Sequence, residues 1–392
     1  MAILSRRNFL KTSAVSAIAS AGDKSIASNM VEVRKIIPPN LDDAYLGPRI
    51  LCYRPMRNGS PNMTVEQIGK KVVAHNYGHG GSGWTLGPGS ASYVNSLMIN
   101  SPNGMELSNK STPIAVIGAG VIGLFTAYDL KKRGYNNITI YADKVESLTS
   151  HNAGGLLAPV SMDNAPDIQA IIDQIGFDAY RFYDRIANNK NADFKGGALI
   201  VPSYFDNREE SGLEPYVGKV MKPAKDVLLD FGNGTTRKMI VYDDGIYMDT
   251  AVLMIDLNKY MRAQNINIIK KKINSFAELD QKFIVNCSGL GAKQLANDSG
   301  VISVQGHLIM LKNQIPKNLN YMVLVYSGEG KTEANQKAKR SFYIFPKRLA
   351  NSKVEDIGVL GGTFIEDGNP STPNLKEFEL LLKGSKEFYG IS

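Results

Sequence analysis

Apolar positions along the chain fall into short β-branched runs and a few longer helical stripes. Pro113–Gly118 reads Pro-Ile-Ala-Val-Ile-Gly, a continuous apolar run of the kind buried on both faces of a parallel sheet. Leu124–Arg133 then has helical character, and Asn137–Tyr141 reads as a second strand. Asp163–Ala187 predicts a helix with Pro166 near its first turn. Its apolar positions Ile168, Ile171, Ile172, Ile175, Phe182 and Ile186 keep helical spacing, which marks a core-facing stripe. Gly197–Pro202, Met239–Tyr242, Val304–Lys312, Tyr321–Val325 and Phe342–Phe345 predict strands, and Thr250–Gln264 another helix. No repeats or low-complexity tracts interrupt this pattern.

The first strand runs directly into Gly118-Ala119-Gly120-Val121-Ile122-Gly123. Gly118 permits a tight turn, Gly120 lets the backbone approach a pyrophosphate, and Gly123 lets helix and strand pack closely. The helix start that follows offers free N–H groups and a positive dipole end to phosphates. Asp143 closes the second strand and can accept hydrogen bonds from a ribose. Strand, turn, helix, strand and acid in that order define a dinucleotide site, without separating NAD from FAD.

Composition narrows the partners. The 392 residues are 43% hydrophobic and 21% charged, an ordinary globular balance that leaves room for two or three domains. The net charge of +8 comes from scattered Lys and Arg; Lys270-Lys271-Lys272 reads as a solvated surface run, and no nucleic-acid motif is present. Cys52 and Cys287 sit in apolar runs and read as buried free thiols. His75, His79, His151 and His307 lack metal-ligand spacing and read as structural, so no metal site is expected.

Residues 1–28 look like a bacterial export signal. Ser5-Arg6-Arg7-Asn8-Phe9-Leu10-Lys11 precedes a mildly apolar stretch, Thr12–Ala21, and small residues offer a cleavage site at Ala19-Ser20-Ala21 or Ser25-Ile26-Ala27. The arginine pair marks the twin-arginine route. The expected partner is therefore the twin-arginine export machinery, and the expected location the periplasm or the medium. No window reaches the ~20 apolar residues of a membrane span.

Ile114–Pro159 resembles the N-terminus of D-amino-acid oxidases. The matching features are Gly118 to Leu124, Tyr141-Ala142-Asp143, Leu148-Thr149 and Gly154-Gly155-Leu156-Leu157-Ala158-Pro159. Phe283–Gly289 and Val359–Thr363 look like later strands of the same family. Two motifs that close the family's sequence stand here before the first strand instead. They are Tyr53-Arg54-Pro55-Met56-Arg57 and His75-Asn76-Tyr77-Gly78-His79-Gly80-Gly81-Ser82-Gly83-Trp84-Thr85. The economical reading is a circular permutation, with Ser101–Thr112 as linker, and the resemblance covers roughly residues 45–385.

The resemblance implies an α/β protein: a Rossmann-like FAD domain (113–160 and 265–300) beside a strand-rich, mixed or antiparallel substrate domain (161–264 and 301–385), with 45–100 as the moved segment. It implies FAD contacts at Gly118, Ala119, Gly120, Val121, Ile122, Gly123, Asp143, Lys144, Thr149, Ser150, Gly154, Gly155, Leu156, Ile273 and Ser288. The moved segment adds Gly80, Gly83, Trp84 and Thr85 as FAD contacts. Gly81 is expected to face the substrate, Arg54 to hold its carboxylate and the Tyr343 hydroxyl to bind the same group. Arg57 is available for a structural ion pair.

The implied reaction is hydride transfer from the Cα of a small amino acid to flavin N5. The imino acid then gives a 2-oxo acid and ammonia, and oxygen, or another acceptor, takes the electrons, oxygen giving hydrogen peroxide. Two departures bear on substrate range. Ser82 replaces an aromatic in the glycine turn, and Lys339 and Arg340 stand where those oxidases close an aromatic over the substrate. The basic pair would favour an acidic D-amino acid; the alternative is a solvated basic loop over Glu329–Arg340. Rival functions are a related flavin amine oxidase acting on glycine or sarcosine and a flavin binder without turnover. The glycine turn at 78–83 and the segment 149–159 argue against an NAD-dependent dehydrogenase.

Overall fold

A computed structural model describes residues 31–160, 162, 164–349 and 352–391; the export signal read in residues 1–28 lies outside them. In chain order the strands are β1 (Glu32–Lys35), β2 (Leu46–Arg57), β3 (Val65–Ile68), β4 (Lys71–His75), β5 (Ile114–Ile117), β6 (Ile138–Ala142), β7 (Ala198–Ile200), β8 (Ser203–Phe205) and β9 (Lys225–Asp230). They continue as β10 (Thr236–Tyr242), β11 (Ile246–Met248), β12 (Asn267–Lys270), β13 (Phe283–Asn286), β14 (Val301–Leu311), β15 (Met322–Lys331), β16 (Lys337–Arg348) and β17 (Ile357–Ile365). The helices are α1 (Gly83–Ile99), α2 (Val121–Lys132), α3 (Thr149–Asn152), α4 (Pro166–Ala187), α5 (Thr250–Ala263), α6 (Ala292–Leu295) and α7 (Lys376–Tyr389).

Six strands form one sheet in the order β12-β6-β5-β13-β4-β3. The first five run parallel, and β3 closes the edge antiparallel. The strand centres are short apolar runs, which suits burial on both faces. Val72, Ala74, Val116 and Val285 face the core shared with α1 and α2, while Val73, Ala115 and Ile284 pack on Phe276 and Leu279 behind the sheet. β4 belongs to the segment ahead of the dinucleotide motif, yet it lies beside β13 with Phe283 opposite Val72 and Asn286 opposite His75. The two strand–turn–helix units β4-α1 and β5-α2 thus flank β13, and their helices pack together.

The second sheet has nine strands in the order β1-β9-β10-β8-β15-β16-β17-β14-β2. β2 pairs with β14 along nearly its whole length, from Val301 opposite Arg57 to Leu311 opposite Leu46. Period-two alternation divides its faces. Phe342, Ile344 and Val323 pack beneath Phe378, Phe388 and Tyr389 of α7, whereas Tyr343, Phe345 and Leu308 join the core shared with the six-stranded sheet. β7 and β11 make a small separate ladder.

The expected helices and strands are present with modest shifts. Pro166 occupies the first turn of α4, and Ile172, Ile175 and Ile186 are buried as the periodicity requires. The strand read over Gly197–Pro202 shortens to β7, since Gly197 adopts φ +88°. Ser101–Thr112 is a packed connection: Leu107 is buried and its carbonyl accepts the Tyr135 hydroxyl. The stretch ahead of residue 45 forms β1 and buries Ile36 and Leu41 against the nine-stranded sheet, which the sequence pattern did not reveal. Both cysteines are buried free thiols. No helix among the described residues is long and apolar enough to cross a membrane.

Candidate active site

A cavity of about 890 Å³ runs between the two sheets, at the upper end of the usual size for small-molecule sites. Its floor is the turn between β5 and α2. Gly118 has φ +112°, and a Cβ there would lie 2.3 Å from the Cys287 carbonyl oxygen. A Cβ on Gly123 would come within 1.9 Å of the Gly118 carbonyl, so Gly123 serves the close helix–strand contact and does not line the cavity. Asp143 and Lys144 line the end beyond β6, joined by Ile273 after β12 and by Ser288 after β13. Lys271 and Lys272 are exposed, as expected of a solvated run, but they also form part of this wall.

One side is built by α3 and the chain that follows it. Ser150 Oγ accepts the Val121 N–H at 3.0 Å, and the Ser150 carbonyl accepts the Trp84 indole N–H at 2.9 Å. The Thr149 hydroxyl donates to the Tyr53 carbonyl at 2.8 Å. Gly154, Gly155 and Leu156 continue the wall. Against them packs the turn of Gly80, Gly81 and Ser82 with the start of α1, of which Gly80, Gly81, Gly83 and Trp84 line the cavity. Ser82 is buried and donates to the Val160 carbonyl at 2.5 Å. Thr85 is buried off the cavity, where its hydroxyl donates to the Ala158 carbonyl and accepts the Ala158 N–H.

The nine-stranded sheet carries the candidate substrate groups. Arg54 donates from Nη1 to the Thr363 carbonyl at 2.9 Å. Tyr343 stacks on Phe345 with ring centroids 4.3 Å apart and planes at 6°. Burial holds the Tyr343 hydroxyl well above the ordinary phenol range, although Arg54 opposes this, so it is a neutral hydrogen-bond donor. His79 lines the same cavity with both ring nitrogens buried and unpartnered, and burial lowers its pKa to about 4. Arg57 forms the expected ion pair, to Asp298 at 2.7 Å.

Apart from Gly123 and Thr85, every residue expected to touch cofactor or substrate lines this one cavity: Arg54, Tyr343 and Gly81, with Gly118, Ala119, Gly120, Val121, Ile122, Asp143, Lys144, Thr149, Ser150, Gly154, Gly155, Leu156, Ile273, Ser288, Gly80, Gly83 and Trp84. The wall also includes His79, read from the sequence as structural, and Phe345 and Thr363, to which the sequence reading gave no role. Phe345 lies one strand period from Tyr343 and was within reach of the alternation rule. Thr363 contributes a backbone carbonyl, for which its side chain gives no signal. Lys339 and Arg340 both reach the rim. The Arg340 guanidinium is taken up by buried Glu377 at 2.7 and 2.8 Å, while exposed Lys339 lies 3.6 Å from Glu329.

A parallel sheet bearing a glycine turn, with a long cavity at its carboxyl edge, is the architecture of a dinucleotide-binding protein. Comparison with known proteins names the family. Residues 113–390 match the DAO family, FAD dependent oxidoreductase. D-amino-acid oxidase of Dictyostelium discoideum is 28% identical over 280 residues, which cover 69% of this chain and 71% of that protein. D-amino-acid oxidase of Streptomyces coelicolor is 26% identical over 266 residues, 67% and 72% of the two chains. D-aspartate oxidase of Homo sapiens is 27% identical over 212 residues, 51% and 59%. The chain belongs to the DAO family; it is an FAD-dependent oxidoreductase. The cavity suits that cofactor, because its glycine turn leaves backbone facing the space and Asp143 stands at the end of the next strand.

Proposed function

We propose that the protein oxidises a small amino acid, in the first place a D-amino acid, at the Cα–N bond. The observation that carries this reading is that Arg54 and Tyr343 line one cavity and lie over Gly306 and Gly361 of the strands between them. Arginine presents a planar, permanently charged fork suited to a carboxylate. One nitrogen of Arg54 is steadied by Thr363, which fixes the plane of the fork. The neutral Tyr343 hydroxyl can donate to the same carboxylate. Gly81 lines the same cavity and leaves room for the substrate's small groups. Bound FAD supplies the two-electron acceptor for oxidation of the Cα–H. Carboxylate capture by Arg54 and Tyr343 orients that bond, and orientation supplies much of the acceleration. The imino acid product hydrolyses to a 2-oxo acid and ammonia, with oxygen or another acceptor taking the electrons.

The test is release of ammonia and 2-oxo acid from D-alanine, L-alanine, glycine and sarcosine. Turnover of D-alanine above the rest supports the reading. Preference for glycine or sarcosine moves the protein to the flavin amine oxidases.

We also infer that the chain is circularly permuted within its family. The family match begins at residue 113, leaving the motifs of Arg54 and Gly80–Thr85 ahead of it. In support, Tyr321 donates to the Ile37 carbonyl at 3.1 Å and contacts the Tyr389 hydroxyl at 3.4 Å. The end of α7 and the entry to the early segment therefore meet at one side chain, which suits a join there in the unpermuted order. A chain rejoined from residue 391 to residue 37 and opened within 101–112 is expected to keep FAD binding; loss of the cofactor would count against it. Export by the twin-arginine route belongs to the same proposal. Arg6→Lys with Arg7→Lys is expected to retain the protein in the cytoplasm, and unchanged export would refute it.

A further inference from the structure

Lys347 has no exposed surface and does not line the cavity. A buried ammonium is costly unless acceptors replace its water. No carboxylate forms an ion pair with Lys347 among the described residues. Its Nζ donates instead to the His151 carbonyl at 3.0 Å and to Thr250 Oγ1 at 2.6 Å. The Thr250 hydroxyl passes the contact on, donating to the Ala153 carbonyl at 3.1 Å. Burial draws the lysine pKa down to about 8, with Asp249 opposing, so in neutral solution the group is still largely a cation with three donors.

Those acceptors define what the lysine holds. His151 lies in the only turn of α3 and Ala153 directly after it, where helix carbonyls lack internal partners. A single turn does not sustain itself. Yet α3 carries three ties to the cavity: Ser150 Oγ to the first N–H of α2, the Ser150 carbonyl to Trp84, and Thr149 to the carbonyl of Tyr53 beside Arg54. Tyr343, Phe345 and Lys347 stand at two-residue intervals along β16, and Gly154 is pressed against the rings of the first two.

We propose that Lys347 is a positioning residue that anchors α3 to β16 and α5, and through α3 sets both the FAD end and the carboxylate end of the cavity. This rests on the reading of the cavity as an FAD and amino-acid site.

The experiment compares wild type with Lys347→Met, Lys347→Arg and Thr250→Val, each stripped of flavin and titrated with FAD by fluorescence. Melting of the flavin-free proteins is followed in parallel, and KM and kcat are measured after reloading. Lys347→Met is expected to weaken FAD binding about tenfold, the equivalent of one charge-assisted hydrogen bond. It should raise KM more than it lowers kcat. Lys347→Arg should recover part of both losses, and Thr250→Val should fall between. If Lys347→Met lowers melting but leaves FAD affinity and KM within twofold of wild type, the role is only structural and the proposal fails. If Lys347→Met does not fold, Thr250→Val decides alone, and unchanged affinity and KM overturn the proposal. Wild type that binds no FAD refutes the function reading itself, an outcome distinct from both.

Discussion

The Arg54 and Tyr343 side chains reach across the two strands, β14 and β17, that separate β2 from β16. Glycines on the intervening strands make this possible. A Cβ at Gly306 in β14 would sit 2.5 Å from Arg54 Nη2, and one at Gly361 in β17 would sit 2.3 Å from the Tyr343 hydroxyl. The two side chains thus lie flat across the sheet, over positions that lack side chains of their own.

Arg54→Ala should therefore raise KM by about 100-fold or more, through loss of a charge-assisted bidentate contact. Arg54→Lys should recover little, because a point charge does not reproduce the fork. Gly306→Ala should mimic the defect by displacing the guanidinium. In all three the bound-flavin spectrum should stay intact. Steady-state kinetics with the best amino acid, alongside the visible spectrum, checks this.

The Gly118 and Gly123 contacts predict the opposite separation. Gly123→Ala forces a methyl group into the Gly118 carbonyl, a clash of backbone that no rotamer relieves. FAD should be lost, and melting should fall by an amount corresponding to about 1–3 kcal/mol, the usual cost of overpacking. Co-purified flavin per protein and a melting scan measure both. Full FAD occupancy with unchanged melting would show that helix and strand have slack there.

The two basic residues at the rim should behave differently. Arg340 neutralises buried Glu377, so Arg340→Ala should cost roughly 2–4 kcal/mol of stability by leaving that carboxylate unpaired. Lys339 has only a loose contact to exposed Glu329, so Lys339→Ala should cost little stability. If the substrate carries a second carboxylate, Lys339→Ala should lower the preference for D-aspartate over D-alanine. An unchanged ratio would leave Lys339 as a solvated surface group.

Asp298 joins the early segment to the chain beyond α6. It accepts from Arg57 Nε at 2.7 Å and from the Tyr77 hydroxyl at 2.8 Å. Burial raises its pKa, but the Arg57 and Tyr77 hydrogen bonds outweigh this and hold it below the usual carboxylate range. A depressed acid gives stability that is fully present above its unfolded value, about 3.9, and is lost as pH falls through the folded value. Asp298→Asn should lower stability by about 1–2 kcal/mol at neutral pH. It should also flatten the acid limb of the stability profile below about pH 4. Urea unfolding at pH 7 and at pH 3 reads both effects.

Much of this was legible in the chain. The dinucleotide unit is written locally, because its glycines, apolar strand and acid are fixed by short-range geometry. The turn at Gly80, Gly81 and Gly83 and the strand residue Arg54 were equally plain, since each stands in a short run that reads without long-range contacts. Long-range contacts were less legible. Gly306 and Gly361 look like ordinary strand glycines until the side chains that cross them are placed. Lys347 reads as one lysine among many, for its role depends on α3 and α5 arriving above it. Thr85 illustrates the reverse: a motif position can be buried behind the wall it helps to build.

The most direct test uses protein without residues 1–28, loaded with FAD, under nitrogen. Single D- and L-amino acids are added while the visible flavin band is followed. Loss of the band with a D-amino acid, but not with its L-enantiomer, is the expected result. It should disappear in Arg54→Ala at the same substrate concentration. A stable flavin band that no D-amino acid bleaches would contradict D-amino-acid oxidation by this site.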